Sequence, residues 1–314
     1  MRNPWQGVAA AAFGLLLLTA EPVTSQDLSK VEITTVPVAG NISMLVGAGG
    51  NIGVSVGEDG VLLVDDEFPE LAGKIKAAVA ALKPGLVRFV LNTHWHYDHA
   101  NGNELFAKAG AVIIAHENSR RHMMSKQTYP DLDPDLKFDP YPKDALPVIV
   151  VKDALTLYFN GDEIHLMHAP NAHTDGDLLI HFTRANVIQA GDLVFSGGFP
   201  FINISMGGTT DGVIKAADIV LGLCDERTKV IPGHGPLTDR KGVLAYKNML
   251  VAARSRIAAL IKAGKTLDQT IAAKPAAGLI KGGTPIMPED EFVKVVYWDL
   301  TGKFRSPSLR ATTK

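Results

Sequence analysis

The sequence predicts an α/β (α+β) fold of two mixed β-sheets packed face to face, each covered by helices on its outer side. Three observations predict it. Short apolar or alternating runs of strand length, broken by glycine turns, occur early in the chain and again in its middle. Apolar residues at helical spacing fall between these groups of strands. The chain has 314 residues, 46% hydrophobic and 20% charged, which suits one large globular core.

Taken in order, Val31 to Val38, Ile42 to Val46, Ile52 to Val56 and Val61 to Val64 read as strands. Gly40, Gly47-Ala48-Gly49-Gly50 and Gly57-Glu58-Asp59-Gly60 separate them. Leu71, Ile75, Val79 and Leu82 share one helical face, and Pro84-Gly85 stops that helix. Val87 to Asn92 reads as a buried strand, Asn103 to Lys108 as a short helix and Ala111 to Ala115 as the next strand. Tyr129 to Lys143, with four prolines, reads as a surface loop. Pro147 to Val151, Leu155 to Phe159 and Glu163 to Met167 are strands, the last two joined by an Asn160-Gly161 hairpin turn. Leu178 to Phe182 and Val187 to Gln189 extend the sheet. Asp211 to Leu223 is a helix and Lys229 to Ile231 a short strand. Tyr246, Met249, Ala253, Ile257 and Ile261 mark a longer amphipathic helix closed by Gly264.

The first 25 residues read as a signal peptide. Arg2 precedes an apolar stretch from Val8 to Ala20, too short for a comfortable membrane span. Val23-Thr24-Ser25 supplies small residues for cleavage before Gln26, and Leu18-Thr19-Ala20 is a second candidate site. Export to the periplasm or medium is therefore expected, with no later segment able to span a membrane. Residues 26–264 form the catalytic domain in this reading. Residues 265–314 form a C-terminal extension in which Phe292 to Leu300 docks on the core. A net charge of −2 leaves no basic footprint for nucleic acid, so a small-molecule substrate is expected. The lone Cys224 excludes an internal disulfide and reads as a small buried side chain.

The chemistry is concentrated in His94-Trp95-His96-Tyr97-Asp98-His99. Three imidazoles and a carboxylate this close are hard to explain by packing, because buried polar groups need partners. In a tight turn after a strand, His94 and His96 share one ion while Asp98 and His99 swing toward a second. Imidazole and carboxylate are donors that zinc accepts. His173 lies in a polar loop after a strand. Asp192 lies where Val187 to Gln189 gives way to a loop, and His234 sits between two glycines after Lys229 to Ile231. His116, His165, His168 and His181 read as structural groups. Asp65 or Asp66 follows a buried strand and either caps a turn or orients a ligand histidine. Trp95 and Tyr97 pack beneath the turn, and Ser196 to Asn203 borders the mouth of the site.

On these residues the chain resembles the metallo-β-lactamase superfamily. His94-x-His96-x-Asp98-His99, His173, Asp192 and Gly233-His234 occur in the family's order between Val31 and Ile261. The resemblance implies a four-layer αββα sandwich with two Zn²⁺ at one edge of the paired sheets. It implies that His94, His96 and His173 hold one zinc, that Asp98, His99 and His234 hold the other, and that Asp192 bridges them. It further implies a metal-activated water as nucleophile, with Asp98 as a catalytic residue that orients it and accepts a proton. Asp192 departs from the acquired β-lactamases, which carry Cys or Ser there, and is closer to glyoxalase II, lactonase and phosphodiesterase relatives. The expected activity is hydrolysis at a carbonyl, of a cyclic amide or ester, with β-lactams among the candidates. Thioester or phosphoester hydrolysis and an iron-dependent sulfur dioxygenase remain alternatives.

Overall fold

In the computed structural model, residues 27–280 and 287–303 are described. The expected signal segment lies outside them. The first half of the chain builds β1 (Thr34–Ala39), β2 (Ile42–Val46), β3 (Ile52–Gly57), β4 (Gly60–Val64), α1 (Ala72–Leu82), β5 (Val87–Leu91), α2 (Tyr97–Ala100), α3 (Asn103–Lys108), β6 (Val112–His116) and α4 (Glu117–Met123). Next come β7 (Gln127–Tyr129), β8 (Asp133–Phe138), β9 (Ile149–Val151), β10 (Ala154–Phe159), β11 (Asp162–Ala169), β12 (Asp177–Phe182) and β13 (Val187–Phe195). The chain continues through α5 (Thr210–Leu223), β14 (Lys229–His234), β15 (Thr238–Asp239), α6 (Arg240–Lys262), α7 (Leu267–Ala272) and α8 (Glu289–Thr301).

One sheet runs in the order β1-β2-β3-β4-β5-β6-β9 and the other β10-β11-β12-β13-β14-β15. Both are mixed, with parallel pairing from β4 to β9 and between β13 and β14. The alternation along β4 shows how the layers arise. Leu62 and Val64 point into the core between the sheets, with Leu166, Ile180 and Ile231 of the second sheet. Val61 and Leu63 point outward, where Ile75 and Val79 of α1 and Phe106 of α3 cover them. A strand buried on both faces must be apolar at every position, and this one is. Outside the second sheet, α5, α6 and α8 form the fourth layer. Phe292, Val293, Val295 and Val296 of α8 are buried there, Phe292 stacked on Phe199 at 4.7 Å between ring centroids. Each such buried side chain stabilises the fold by roughly 1.5–3 kcal/mol. The architecture is the predicted helix–sheet–sheet–helix sandwich. Among the described residues, no helix is long and apolar enough to cross a membrane.

Two expectations need correction. Tyr129 to Lys143 is not a plain loop, because β7 and β8 pair antiparallel in a small separate sheet. Pro130 lies in the turn, Pro134 near the start of β8, and Pro140 and Pro142 beyond it, while Tyr129, Leu136 and Phe138 join an aromatic cluster with Trp95. The strand starting at Val187 does not end at Gln189. It bulges at Gly191 and regains pairing with β14 through Phe195 and His234. Asp192 is therefore inside β13, and His234 is the last residue of β14.

Candidate metal centre

His94, His96, His173 and His234 lie where a strand stops or just past that point, Asp98 and His99 lie in α2, and Asp192 lies on the bulged part of β13. The turn after β5 is held by its own polar residues. Thr93 donates its backbone N–H and its hydroxyl to the two oxygens of Asp65, at 2.7 and 2.8 Å. His94 and His96 follow, and α2 then carries Asp98 and His99 back across the site. The loop after β11 is pinned by Asp177, whose carboxylate accepts from the backbone N–H groups of His173 and Thr174 and from the Thr174 hydroxyl. Burial pushes the Asp177 carboxyl up to about 8 despite these donors. Gly233 is required by a close approach, since a Cβ there would lie 2.0 Å from Asp192 Oδ1.

The seven residues converge as two groups. His94, His96, His173 and Asp192 each offer a donor atom within 4.8 Å of the others, and so do Asp98, His99 and His234. Asp192 faces both. Its Oδ2 is 3.4 Å from His173 Nε2, and its Oδ1 is 3.1 Å from His99 Nε2 and 3.5 Å from His234 Nε2. Asp98 Oδ2 lies 3.3 Å from His234 Nε2. All except Asp98 and His234 are buried.

Four of the five histidines are oriented from behind. His94 Nδ1 meets the Thr93 hydroxyl at 3.1 Å, His99 Nδ1 meets Asp65 at 2.9 Å, and His173 Nδ1 meets the Phe201 carbonyl at 2.9 Å. The Asn203 amide lies 3.0 Å from His96 Nε2. Asp65 is therefore the residue that orients a ligand histidine, whereas Asp66 accepts from the Gly102 N–H. Asn203 was expected at the mouth of the site rather than buried against His96. Thr93 and Asp177 escaped sequence reasoning. Their only signal was polarity next to the motif residues, and many exposed residues share it.

Electrostatics separates the two groups. Burial pushes His94, His96 and His173 below the ordinary histidine value, so their rings are neutral. Burial also opposes charge on His99 and His234, but Asp192 and Asp98 outweigh it and hold both rings above the ordinary value. The same histidines overcome burial at Asp98 and Asp192 and hold those carboxyls low.

The donor set fits a metal. His96 Nδ1 faces His173 Nε2 at 2.9 Å, and His99 Nε2 faces His234 Nε2 at 3.3 Å. Ring nitrogens approach this closely only when one carries a proton toward the other or a cation lies between them. Buried His94 Nε2 has no hydrogen-bond partner among the described residues, which a shared proton does not remedy and a cation does.

The remaining candidates stand apart. His116 caps α4 by accepting from the Asn118 N–H and stacks on His168 at 3.8 Å. His165 pairs with Glu163 and lies across β11 and β12 from His181. Trp95 is buried under the turn and Tyr97 stacks on Phe138, as expected.

The match to known proteins follows the same geometry. Residues 45–240 match the model of the metallo-beta-lactamase superfamily. The chain belongs to that superfamily. A metal-binding site is present in a family of metal-dependent hydrolases. A curated relative, hydroxyacylglutathione hydrolase of Pelagibacter ubique (strain HTCC1062), is 28% identical over 149 residues. The match covers 47% of this chain and 52% of that protein, so the chain spans about half the length of this relative. The inverting sec-alkylsulfatase Pisa1 from Pseudomonas sp. superposes with a TM-score of 0.65 at 16% identity, over 90% of this chain and 52% of that one. A metallo-beta-lactamase from Pontibacter korlensis gives a TM-score of 0.57 at 13% identity, over 70% of this chain and 99% of its own. At these identities the superpositions establish a shared fold.

Proposed function

We propose that this superfamily member is an exported dizinc hydrolase that opens a carbonyl-containing bond in a cyclic amide or ester. The observation that carries the reading is Asp192, set between two complete ligand groups with one oxygen toward each. In this reading His94, His96 and His173 hold the first zinc and Asp98, His99 and His234 the second, with Asp192 shared. Five imidazoles and two carboxylates favour zinc over harder cations. Bound zinc lowers the pKa of its water toward neutrality and polarises a substrate oxygen. The protein's own groups do the rest. Burial keeps His94, His96 and His173 as free bases, ready to donate without first losing a proton. Asp98, partly exposed and held ionised by its histidine neighbours, is placed to orient a water and accept its proton. Phe201, stacked on His96, and the β7–β8 hairpin shield that side from solvent. Export rests on the apolar stretch from Val8 to Ala20.

A second reading is favoured by the curated relative, whose name denotes hydrolysis of a glutathione thioester. One experiment tests both. The mature protein is purified, its metals are quantified, and turnover of a chromogenic cephalosporin, a lactone and an acyl thioester is followed with and without a chelator. Two zincs per chain with chelator-sensitive cleavage of the cephalosporin or lactone supports the first reading. Cleavage confined to the thioester moves the assignment to the second. A single iron with no hydrolysis overturns both.

A further inference from the structure

The turn between β2 and β3 contacts Asp98 and His99 directly and grips the backbone on both sides of His234. The Gly50 N–H donates to the backbone carbonyl of Asp98 at 3.0 Å. Gly50 also lies against the His99 ring, where a Cβ would come within 2.1 Å of Cε1. The next residue, Asn51, is buried and reaches the end of β14. Its side-chain amide donates to the carbonyls of Pro232 and Gly235, at 2.9 and 2.8 Å, one on each side of His234. Its backbone N–H donates to the Gly233 carbonyl at 2.7 Å, and its carbonyl accepts from Gln189 of β13 at 2.9 Å. The other end of the turn is anchored by Glu67, which accepts from the N–H groups of Ala48 and Gly49. No hydrogen bond among the described residues runs from this turn to His94, His96 or His173.

We infer that Asn51 is a positioning residue for the second metal: its amide fixes the end of β14 so that His234 meets Asp98 and His99 as one ligand group. The inference rests on the two-metal reading above. Asp98 and His99 follow β5 of the first sheet and His234 ends β14 of the second, so their meeting depends on how the two sheets are joined there. Asn51 supplies that joint. Among side chains uncharged at neutral pH, only a carboxamide places two N–H donors on two carbonyls, because an ionised carboxylate offers acceptors alone and an aliphatic side chain offers neither. Removing it takes the amide donor from the carbonyls of Pro232 and Gly235 and frees the backbone on both sides of His234.

The test is zinc titration against a chromophoric chelator for wild type, Asn51→Ala and Asn51→Asp, with thermal unfolding of each metal-free protein alongside. Wild type should bind two zincs. In the variants the stronger site should be unchanged, and the weaker should lose about 10–100-fold in affinity. Asn51→Ser keeps one donor and should give an intermediate loss, and it carries the test if Asn51→Ala does not fold. Equal weakening of both sites would mark Asn51 as merely structural and overturn the inference. Unchanged affinities in a wild type that binds two zincs would overturn it alone. A wild type that binds a single zinc would overturn the two-metal reading and this inference with it.

Discussion

The two ligand groups share Asp192 but differ in materials and in how they are held. His94, His96 and His173 are sealed from solvent and kept neutral by burial. Two of them leave the same turn after β5, and all three are steadied by neutral groups, a hydroxyl, an amide and a carbonyl. Asp98, His99 and His234 are crowded by carboxylates, partly open to solvent, and assembled from both sheets. Their histidines are drawn toward the charged form, so a metal arriving there competes with protons. The contrast teaches that the first group presents neutral donors already held in place, whereas in the second a proton and a cation compete for the same nitrogens.

The largest effect that would break this contrast lies at Asp98. Asp98→Asn keeps the shape but removes the anion, and kcat should fall about 10²–10⁴-fold, with circular dichroism and melting temperature little changed. A fully active variant would refute its assigned role. A smaller effect is expected behind the second group, where Asp65 is the carboxylate on His99 Nδ1. Asp65→Asn should weaken the second zinc about 10–100-fold and spare the first, read by chelator competition. Equal loss at both sites would erase the distinction between the groups.

A further prediction concerns the metal-free protein. Burial raises the Glu67 carboxyl from 4.5 to about 7 in the folded state. Folded protein therefore keeps a proton that the unfolded chain releases above about pH 4.5, so this contribution is full below that pH and is lost as the pH rises through 7. Denaturant titrations should show wild type losing on the order of 3 kcal/mol relative to Glu67→Gln across that range. The glutamine can still accept from Ala48 and Gly49 through its one carbonyl oxygen. A pH-independent difference between the two would show that folding does not raise the Glu67 carboxyl.

Much of this was legible from local pattern. β2 and α3 match their predicted limits residue for residue, and the Asn160-Gly161 turn takes the expected positive φ at both positions. Strands and helices announce themselves through periodicity, which needs only neighbours in sequence. The split of His94 and His96 from Asp98 and His99 was likewise readable, because a six-residue turn leaves few ways to arrange four donors. The β7–β8 hairpin was not readable. Prolines argued for a loop, and packing of Tyr129 and Phe138 against Trp95 and Tyr97 outweighed them.

What the sequence determined by itself is therefore the layered fold, which follows from short-range spacing. The identity of the polar residues that converge came from the resemblance of His94-x-His96-x-Asp98-His99, His173, Asp192 and His234 to a family pattern. What only the tertiary structure decided is how those residues are divided and held. Asp192 faces both groups because a bulge at Gly191 re-pairs β13 with β14. Asp65 rather than Asp66 supports His99, and Asn51 grips the carbonyl of Gly235, 184 residues away. Burial and contacts between distant segments set these choices, and no local pattern encodes which buried polar atoms will meet.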